Sequence, residues 1–481
     1  MKIALLYPLW TEKYGDIAHF SRAGIYPPLN LAFLAAYAES KGHNVIIIDG
    51  EAEGLPIDEM VKRVMRFNPD LIGITATTPF FHISVELGNA LKRVMNVPIC
   101  IGGPHISVLK EKSFEKCFDF AFIGEADVSW NLFLEMFESN ENIKDVKGIL
   151  FREKNEVIFT GYPDTFEDIN KIEIPARHLL KNELYNIATV NGLKKFTSIM
   201  TVRGCPFDCI FCSTKTFGKD IRRRNPELVI QEINGCIEKY GIRHFVFLDG
   251  TLTLHRQHIL DICNLIIKDK LNITFEGGTR ANLIDDELIK KMKDAGCIRL
   301  GFGLETVDEA IRETIKKRVP LESYVEANKL TNKYGIESLN PCIIGLPGES
   351  YESIKKTLAF LRRSKDIKQA NMSIAVPYPG TELFEMAKKG EKGLILETED
   401  FTQYRRYDAS VMTVGELTPE ILLDIQNEAY ASIYLAPWRW ETMIRKFGPM
   451  GALLTFNRLV KCLKRGNTRF LTNKQLGIEE G

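Results

Sequence analysis

The sequence has no excess of either charge: 63 Lys plus Arg balance 63 Asp plus Glu. Non-specific nucleic-acid binding needs a basic surface that displaces phosphate counterions, so no nucleic-acid partner is expected. Long hydrophobic runs are missing as well. No window reaches the ~18 apolar residues of a membrane span. The opening run, Lys2–Leu6, ends at Pro8 and is too short for a secretory core plus cleavage site. A cytoplasmic protein with reduced thiols is therefore expected. Internal repeats and low-complexity tracts are absent. His82, His178, His244, His255 and His258 show no metal-ligand spacing; His255 and His258 cap or solvate a helix start.

What is present is alternation. Short β-rich runs at Lys2–Tyr7, Asn44–Asp49, Asp70–Thr75, Val97–Gly102 and Phe118–Ile123 are separated by helical patterns. Those patterns lie near Leu29–Lys41, Ile57–Phe67, His82–Met95 and Val108–Lys116. This order predicts an α/β domain over residues 1–140, a doubly wound parallel sheet of flavodoxin-like order, with ligands beyond the carboxyl ends of its strands. Residues 141–192 read as a hairpin (Val146–Phe159) and a linker. The alternation resumes over 193–385, with strands expected at Phe196–Val202, His244–Asp249, Thr274–Gly278, Ile298–Gly303, Ser338–Gly345 and Gln369–Val376. Six β/α units predict a partial (β/α)6 barrel whose functional residues follow the strands. Residues 386–481 read as mostly helical.

Seven of the ten cysteines are scattered through apolar or helix-like segments, as small buried hydrophobes are. The other three stand in Arg203-Gly204-Cys205-Pro206-Phe207-Asp208-Cys209-Ile210-Phe211-Cys212, a C-x3-C-x2-C spacing just after the first barrel strand. Thiolates suit iron–sulfur clusters or zinc. A structural zinc site usually takes four ligands, but the next cysteine, Cys236, lies inside a helical pattern. A cluster held by Cys205, Cys209 and Cys212 alone keeps one iron without a protein ligand, open for chemistry.

With the aromatic Phe211 before its last cysteine, the triplet resembles the signature of the radical S-adenosylmethionine (SAM) enzymes. The resemblance spans about residues 195–385. It implies a [4Fe–4S] cluster whose open iron is chelated by SAM. It also implies reductive cleavage of SAM to a 5′-deoxyadenosyl radical, fed by an external electron donor such as flavodoxin or ferredoxin. Further strand-end segments support it: Phe247-Leu248-Asp249-Gly250-Thr251, Gly277-Gly278-Thr279-Arg280 and Gly301-Phe302-Gly303-Leu304-Glu305-Thr306. By the resemblance, Phe211, Asp249, Arg280 and Glu305 are SAM contacts. Asp249 stands where the family has Gly-Gly-Glu for the SAM amino group. Arg280 can pair with a carboxylate in bidentate fashion. Ile344-Gly345-Leu346-Pro347-Gly348-Glu349 and Pro377-Tyr378-Pro379-Gly380-Thr381 are familiar in the subgroup that includes cobalamin-dependent members.

The first domain resembles the cobalamin-binding domain that precedes many radical SAM enzymes. The resemblance rests on Tyr26-Pro27-Pro28-Leu29-Asn30-Leu31-Ala32, Gly42-His43-Asn44-Val45, Gly102-Gly103-Pro104-His105 and Ile123-Gly124-Glu125. It implies cobalamin contacts at Thr75, Thr77, Gly102, Gly103, Pro104, His105, Gly124 and Glu125. Glycines let a backbone approach the ligand closely, and the hydroxyls of Thr75, Thr77, Thr78 and Ser107 can meet phosphate or amide groups. The Asp-x-His-x-x-Gly that supplies a lower histidine ligand elsewhere is missing, since Asp16-Ile17-Ala18-His19 has another spacing. Cobalamin with no histidine on cobalt is expected, an arrangement that favours methyl transfer from methylcobalamin to an unactivated carbon. Ring closure, rearrangement or oxygenation on the same scaffold is the alternative, and a non-enzymatic cobalamin- or redox-responsive binding protein a more distant one.

Near the C-terminus, Tyr434, Trp438 and Trp440 resemble the aromatic segment of the cobalamin subgroup. Beyond them, Met443, Phe447, Met450, Leu453, Leu454, Leu459 and Leu463 alternate with Arg445, Lys446, Arg458, Lys461, Lys464 and Arg465. Such basic amphipathic helices either pack on the barrel or lie on a membrane surface. The second reading makes this a peripheral membrane protein and suits a lipid-like rather than another small-molecule substrate.

Overall fold

The structure is a computed structural model. It describes residues 1–10, 24–139, 141–154, 156–165, 168–214, 218–434, 436–441, 443–445, 448–453, 456 and 473–476. Asp16–His19 and all of residues 457–472 lie outside them. The chain divides into two compact units. One is built mainly from Ile25–Tyr185 with Ser213–Arg224, the other from Asn186–Cys212 and the chain from Asn225 onward.

The first unit is a seven-stranded sheet. Its strands are β1 (Lys2–Tyr7), β2 (Asn44–Asp49), β3 (Leu71–Thr75), β4 (Ile99–Gly102), β5 (Phe120–Phe122), β6 (Ile149–Glu153) and β7 (Glu156–Phe159), in the order β2-β1-β3-β4-β5-β6-β7. The first five are parallel, in the flavodoxin-like order, and β6 and β7 add antiparallel to β5. The hairpin therefore extends this sheet. Buried β1 residues Ile3–Leu6 form an unbroken apolar run, as expected where helices cover both faces of a parallel sheet. The helices are α1 (Leu29–Ser40), α2 (Ile57–Phe67), α3 (Phe81–Val94), α4 (Pro104–Leu109) and α5 (Asp127–Ser139).

Two helices depart from expectation. Helix α4 begins at Pro104, where a fixed φ suits the first helical position, and stops where Lys110 turns to φ 47°. A helix centred on 108–116 is thereby ruled out. Helix α5 was hidden by its aromatic content: Trp130 and Phe133 pack edge-on against Phe122, and Phe133 likewise against Phe120.

The second unit is also seven-stranded: β8 (Asn186–Thr189), β9 (Gly192–Ile199), β10 (His244–Phe247), β11 (Thr274–Thr279), β12 (Cys297–Phe302), β13 (Glu337–Ile344) and β14 (Gln369–Ile374). Strands β9 to β14 are all parallel neighbours in chain order, the six-stranded partial barrel anticipated. Helices α6 (Pro226–Tyr240), α7 (Arg256–Lys268), α8 (Asp286–Asp294), α9 (Leu321–Lys333) and α10 (Tyr351–Arg363) connect them. Phe245, Phe275, Leu300, Cys342 and Met372 pack against these helices in one continuous core.

Beyond β14, a two-stranded antiparallel ribbon (Leu394–Leu396 with Met412–Val414) precedes α11 (Pro419–Tyr434). Helix α11 covers the barrel's free edge. Gln426 donates to the Met372 carbonyl at 2.9 Å and Tyr434 to the Ala370 carbonyl at 2.7 Å. An uncovered edge strand would invite pairing with another chain. Among the described residues, no helix is long and apolar enough to cross a membrane.

Candidate functional site

The cysteine loop leaves β9 and is fastened at several points. Asp249, just past β10, is buried, and its carboxylate accepts the Thr201 N–H at 2.7 Å, the Val202 N–H at 2.9 Å and the Thr201 hydroxyl. Gly250 then lies against Cys205: a Cβ there would stand 3.5 Å from the Cys205 Cβ. The Thr251 hydroxyl is 4.0 Å from the Cys205 sulfur. In the middle of the loop, Ile210 donates to the Ile315 carbonyl at 3.3 Å and accepts from the Leu383 N–H at 3.0 Å. Phe211 packs against the barrel core.

None of the three thiols is in a disulfide; Cys209 is buried, and Cys205 and Cys212 are partly exposed. Burial pushes the Cys209 thiol up, while nearby Lys317 and Arg280 pull it down. No three His, Cys, Asp or Glu side chains among the described residues converge to hold a single ion. An all-thiolate set spread along a loop suits a cluster, which takes one thiolate per iron, better than one ion that takes every ligand at a single centre. The six other described cysteines, Cys100, Cys117, Cys236, Cys263, Cys297 and Cys342, are buried.

Two strand ends converge on this loop. Arg280, after β11, is buried with its guanidinium carbon 3.7 Å from the centre of the Phe207 ring, between Cys205 and Cys209. It donates to the Lys317 carbonyl, while its Nε is buried without an acceptor. An unmatched buried donor is expensive, so this is where an incoming carboxylate fits. Glu305, after β12, is buried and adopts φ 62°, a strained conformation for a residue with a Cβ. Strand β13 holds it: Glu305 N–H donates to the Pro341 carbonyl at 3.0 Å, and Ile343 N–H donates to the Glu305 carbonyl at 2.9 Å.

Lys317 ties the two together, and nothing in the sequence marked it. It sits in Lys316-Lys317-Arg318, which reads as a solvated charge run. Instead it is buried, and its ammonium meets Glu305 at 3.0 Å. Burial by itself would lower its pKa, but Glu305, then Tyr324 and Cys209, outweigh that and hold it above the ordinary lysine value. Its neighbours Lys316 and Arg318 both take positive φ, so the chain is bent around it. Gly303 makes room: a Cβ there would lie 2.4 Å from Glu305 Oε1 and 2.8 Å from the Lys317 ammonium.

Asp249 differs from its expected role. Its carboxylate is turned to Thr201 and Val202, so the residue braces the cysteine loop where a SAM amino contact was anticipated.

In the first unit, the loops after β3, β4 and β5 lie side by side. Ala76 N–H donates to the Gly102 carbonyl at 3.0 Å. The buried Ser107 hydroxyl donates to the Gly103 carbonyl at 2.8 Å and accepts from Gly124 N–H at 2.9 Å. It thus ties the loops after β4 and β5 together. Gly103 has φ 114°, and a Cβ would sit 2.3 Å from the Ala76 carbonyl oxygen. Gly103→Ala is expected to destabilise the first unit by about 2–3 kcal/mol, from left-handed strain and the clash. Thermal melting should show this loss, with cobalamin uptake falling in parallel.

Gly102 is different. A Cβ there would touch only Phe122, at 4.0 Å. Internal packing does not require this glycine, and the bare backbone forms a cradle that a side chain would fill. Pro104 and Gly124 are partly exposed beside it, Thr77 is exposed, and Thr75 accepts from Asn30 at 3.1 Å. These groups fit a corrin approached by backbone and hydroxyls. Two anticipated side chains are committed elsewhere. His105 is buried with its ring 4.2 Å from that of Phe81, and burial pushes its pKa down to about 4. Glu125 forms a bidentate pair with Arg222, one arm at 2.9 Å.

The sequence matches the Radical SAM superfamily over residues 199–361 and the B12 binding domain over residues 15–130. It is 33% identical to an uncharacterized methyltransferase of Pyrococcus horikoshii, over 85% of this chain and 88% of that protein. It is 28% identical to the anaerobic magnesium-protoporphyrin IX monomethyl ester cyclase of Rubrivivax gelatinosus, over 90% and 78% of the two chains. The fold is shared with the radical SAM methyltransferase TsrM of Kitasatospora setae, solved with cobalamin and a [4Fe–4S] cluster: TM-score 0.73, 14% identity, 96% of this chain and 99% of that one. The chain belongs to the cobalamin-dependent radical SAM enzymes. Its cofactors are a [4Fe–4S] cluster, SAM and cobalamin.

Proposed function

We propose that this enzyme transfers a methyl group from SAM to an unactivated carbon of a small-molecule substrate. When bound, the cluster supplies the electron that turns SAM into a radical source, and cobalamin carries the methyl group. Cys205, Cys209 and Cys212 hold the cluster. Arg280 takes the SAM carboxylate with the donor that now lacks an acceptor. Glu305, held rigid by Lys317 and by its bridge to β13, accepts from the ribose or amino group. Asp249 keeps the thiols in place by bracing Thr201 and Val202. In the first unit, the backbone of Gly102, Gly103, Pro104 and Gly124, with Thr75 and Thr77, holds the corrin. Electrons come from an external donor such as flavodoxin or ferredoxin, in a reducing cytoplasm that keeps the partly exposed thiols reduced.

The observation that carries the reading is the three-thiol loop with the unmatched Arg280 donor stacked on it. The Pyrococcus horikoshii methyltransferase supports methyl transfer. A small-molecule substrate is supported by TsrM, which has also been solved with tryptophan. The cyclase relative favours a second reading, radical ring formation. Anaerobic turnover of reconstituted enzyme with methyl-labelled SAM and cell extract separates the two. Methyl transfer puts label into one metabolite that gains a single SAM-derived carbon. Formation of 5′-deoxyadenosine with an unlabelled, ring-closed product overturns it in favour of the cyclase reading.

A further inference from the structure

The parallel strands of the barrel alternate between two faces. Phe245, Phe247, Phe275, Leu300, Phe302 and Cys342 point to the helices and form the core. The residues between them therefore line the bore. Lowest is a charged floor: Glu276 of β11 pairs with Arg299 of β12, and Gln369 of β14 donates to Glu337 of β13. One layer above, Gly278 and Gly301 stand side by side in register, between Leu248 just past β10 and Leu339 of β13. Arg280 and Gly303, two residues further along, form the next layer, at the level proposed for the SAM carboxylate.

Neither glycine is required by the surrounding protein. Neither takes a positive φ. A Cβ on Gly278 would meet nothing within 4 Å, and one on Gly301 only backbone, at 3.8 Å or more. Glycine inside a strand weakens it, and it marks a place where another molecule comes close. The bore is open at this level. Gly278 is exposed and Leu248 is 47% exposed, although β10 and β11 each have a neighbouring strand on both sides. The result is a bare wall two strands wide, about 10 Å, bounded by leucines. On such a wall a flat ring makes dispersion contact over its whole face, where a puckered one touches at few points. Below the wall, one atom lacks a partner. Glu276 is 3% exposed; its Oε1 meets Arg299, but its Oε2 is buried with no donor. A buried unmatched acceptor is costly, and a ligand that brings an N–H or O–H relieves it.

We propose that this bore is the substrate pocket and that it takes a flat, unsaturated ring system with a hydrogen-bond donor on one edge. The ring lies on Gly278 and Gly301, its donor on Glu276, and its opposite edge towards Arg280 and the cysteine loop. The test is anaerobic equilibrium dialysis of the reconstituted full-length enzyme against three probes of equal heavy-atom count. Indole is flat with an N–H, benzofuran is flat without a donor, and cyclooctanol carries a donor on a puckered ring. Indole should bind with a Kd of about 1 mM or tighter, and the other two at least ~10-fold more weakly. Gly278→Val and Gly301→Val each fill the wall and should weaken indole binding at least ~10-fold, with SAM affinity unchanged. If a valine variant does not fold, Gly278→Ala, whose methyl meets no protein atom, gives the same comparison with a smaller loss. Three results overturn the proposal: no indole binding to the wild type, equal binding of either other probe, or variants that bind indole as the wild type does. Loss of SAM affinity in step with indole also overturns it, since the wall then belongs to the cosubstrate. The pocket rests on the methyl-transfer reading for its chemistry, but dialysis needs no turnover, so indole bound without methyl transfer counts against that reading alone.

Discussion

Alanine in place of Cys205, Cys209 or Cys212 is expected to reduce SAM cleavage to background. A [4Fe–4S] cluster ordinarily has four thiolates, and this loop offers three. Loss of any one leaves two protein ligands for the cluster and no control over which iron stays open. Iron and sulfide content, visible absorption after anaerobic reconstitution, and 5′-deoxyadenosine formation should fall together. The comparison is Cys236→Ala. That cysteine is fully engaged in the apolar core of α6, so the change removes a small hydrophobe, costs about 1 kcal/mol of packing and leaves the cluster intact. Three alanine variants that keep full turnover, or a wild-type protein that loads zinc in place of iron, would remove the basis of the proposed chemistry.

Lys317→Met is the next largest expected effect. Lys317 and Glu305 are both at most 10% exposed on their side chains, and the change strands a carboxylate in the barrel mouth. Breaking a buried pair from one side typically costs about 3–5 kcal/mol. The melting temperature should fall by several degrees and SAM affinity with it. The double variant Lys317→Met, Glu305→Gln removes the stranded charge and should recover most of the stability. It should not recover SAM affinity, because Glu305 no longer presents a carboxylate. Equilibrium binding of SAM together with thermal melts separates the two contributions. If the double variant binds SAM as the wild type does, Glu305 is a structural residue and not a contact.

The strand-and-helix order was legible because each parallel strand is a short apolar run between helical patterns, and β1, β2 and α2 run over the anticipated residues. The cysteine loop was legible because its chemistry is local in sequence. Lys317 was not, since twelve residues separate it from Glu305 and only the folded backbone turns it inward. Asp249 shows the converse. Its place after β10 is visible in sequence, but its partners Thr201 and Val202 arrive from another strand end. Glycines at one motif also divide by physics invisible in the letters: Gly103 is required by the backbone, whereas Gly102 is not. Glu349, in Gly345-Leu346-Pro347-Gly348-Glu349, is similar. It folds back onto the Leu346 N–H at 3.2 Å, and burial pushes its pKa up to about 8, so its part is to close a turn.

The bracing of Thr201 and Val202 by Asp249 bears on biogenesis. The loop's entry point is secured by hydrogen bonds to a carboxylate outside the loop, so the placement of the sulfurs depends on a residue that is not one of them. An Asp249→Ala enzyme would mature poorly even with every sulfur in place, a defect of assembly in a catalyst otherwise intact.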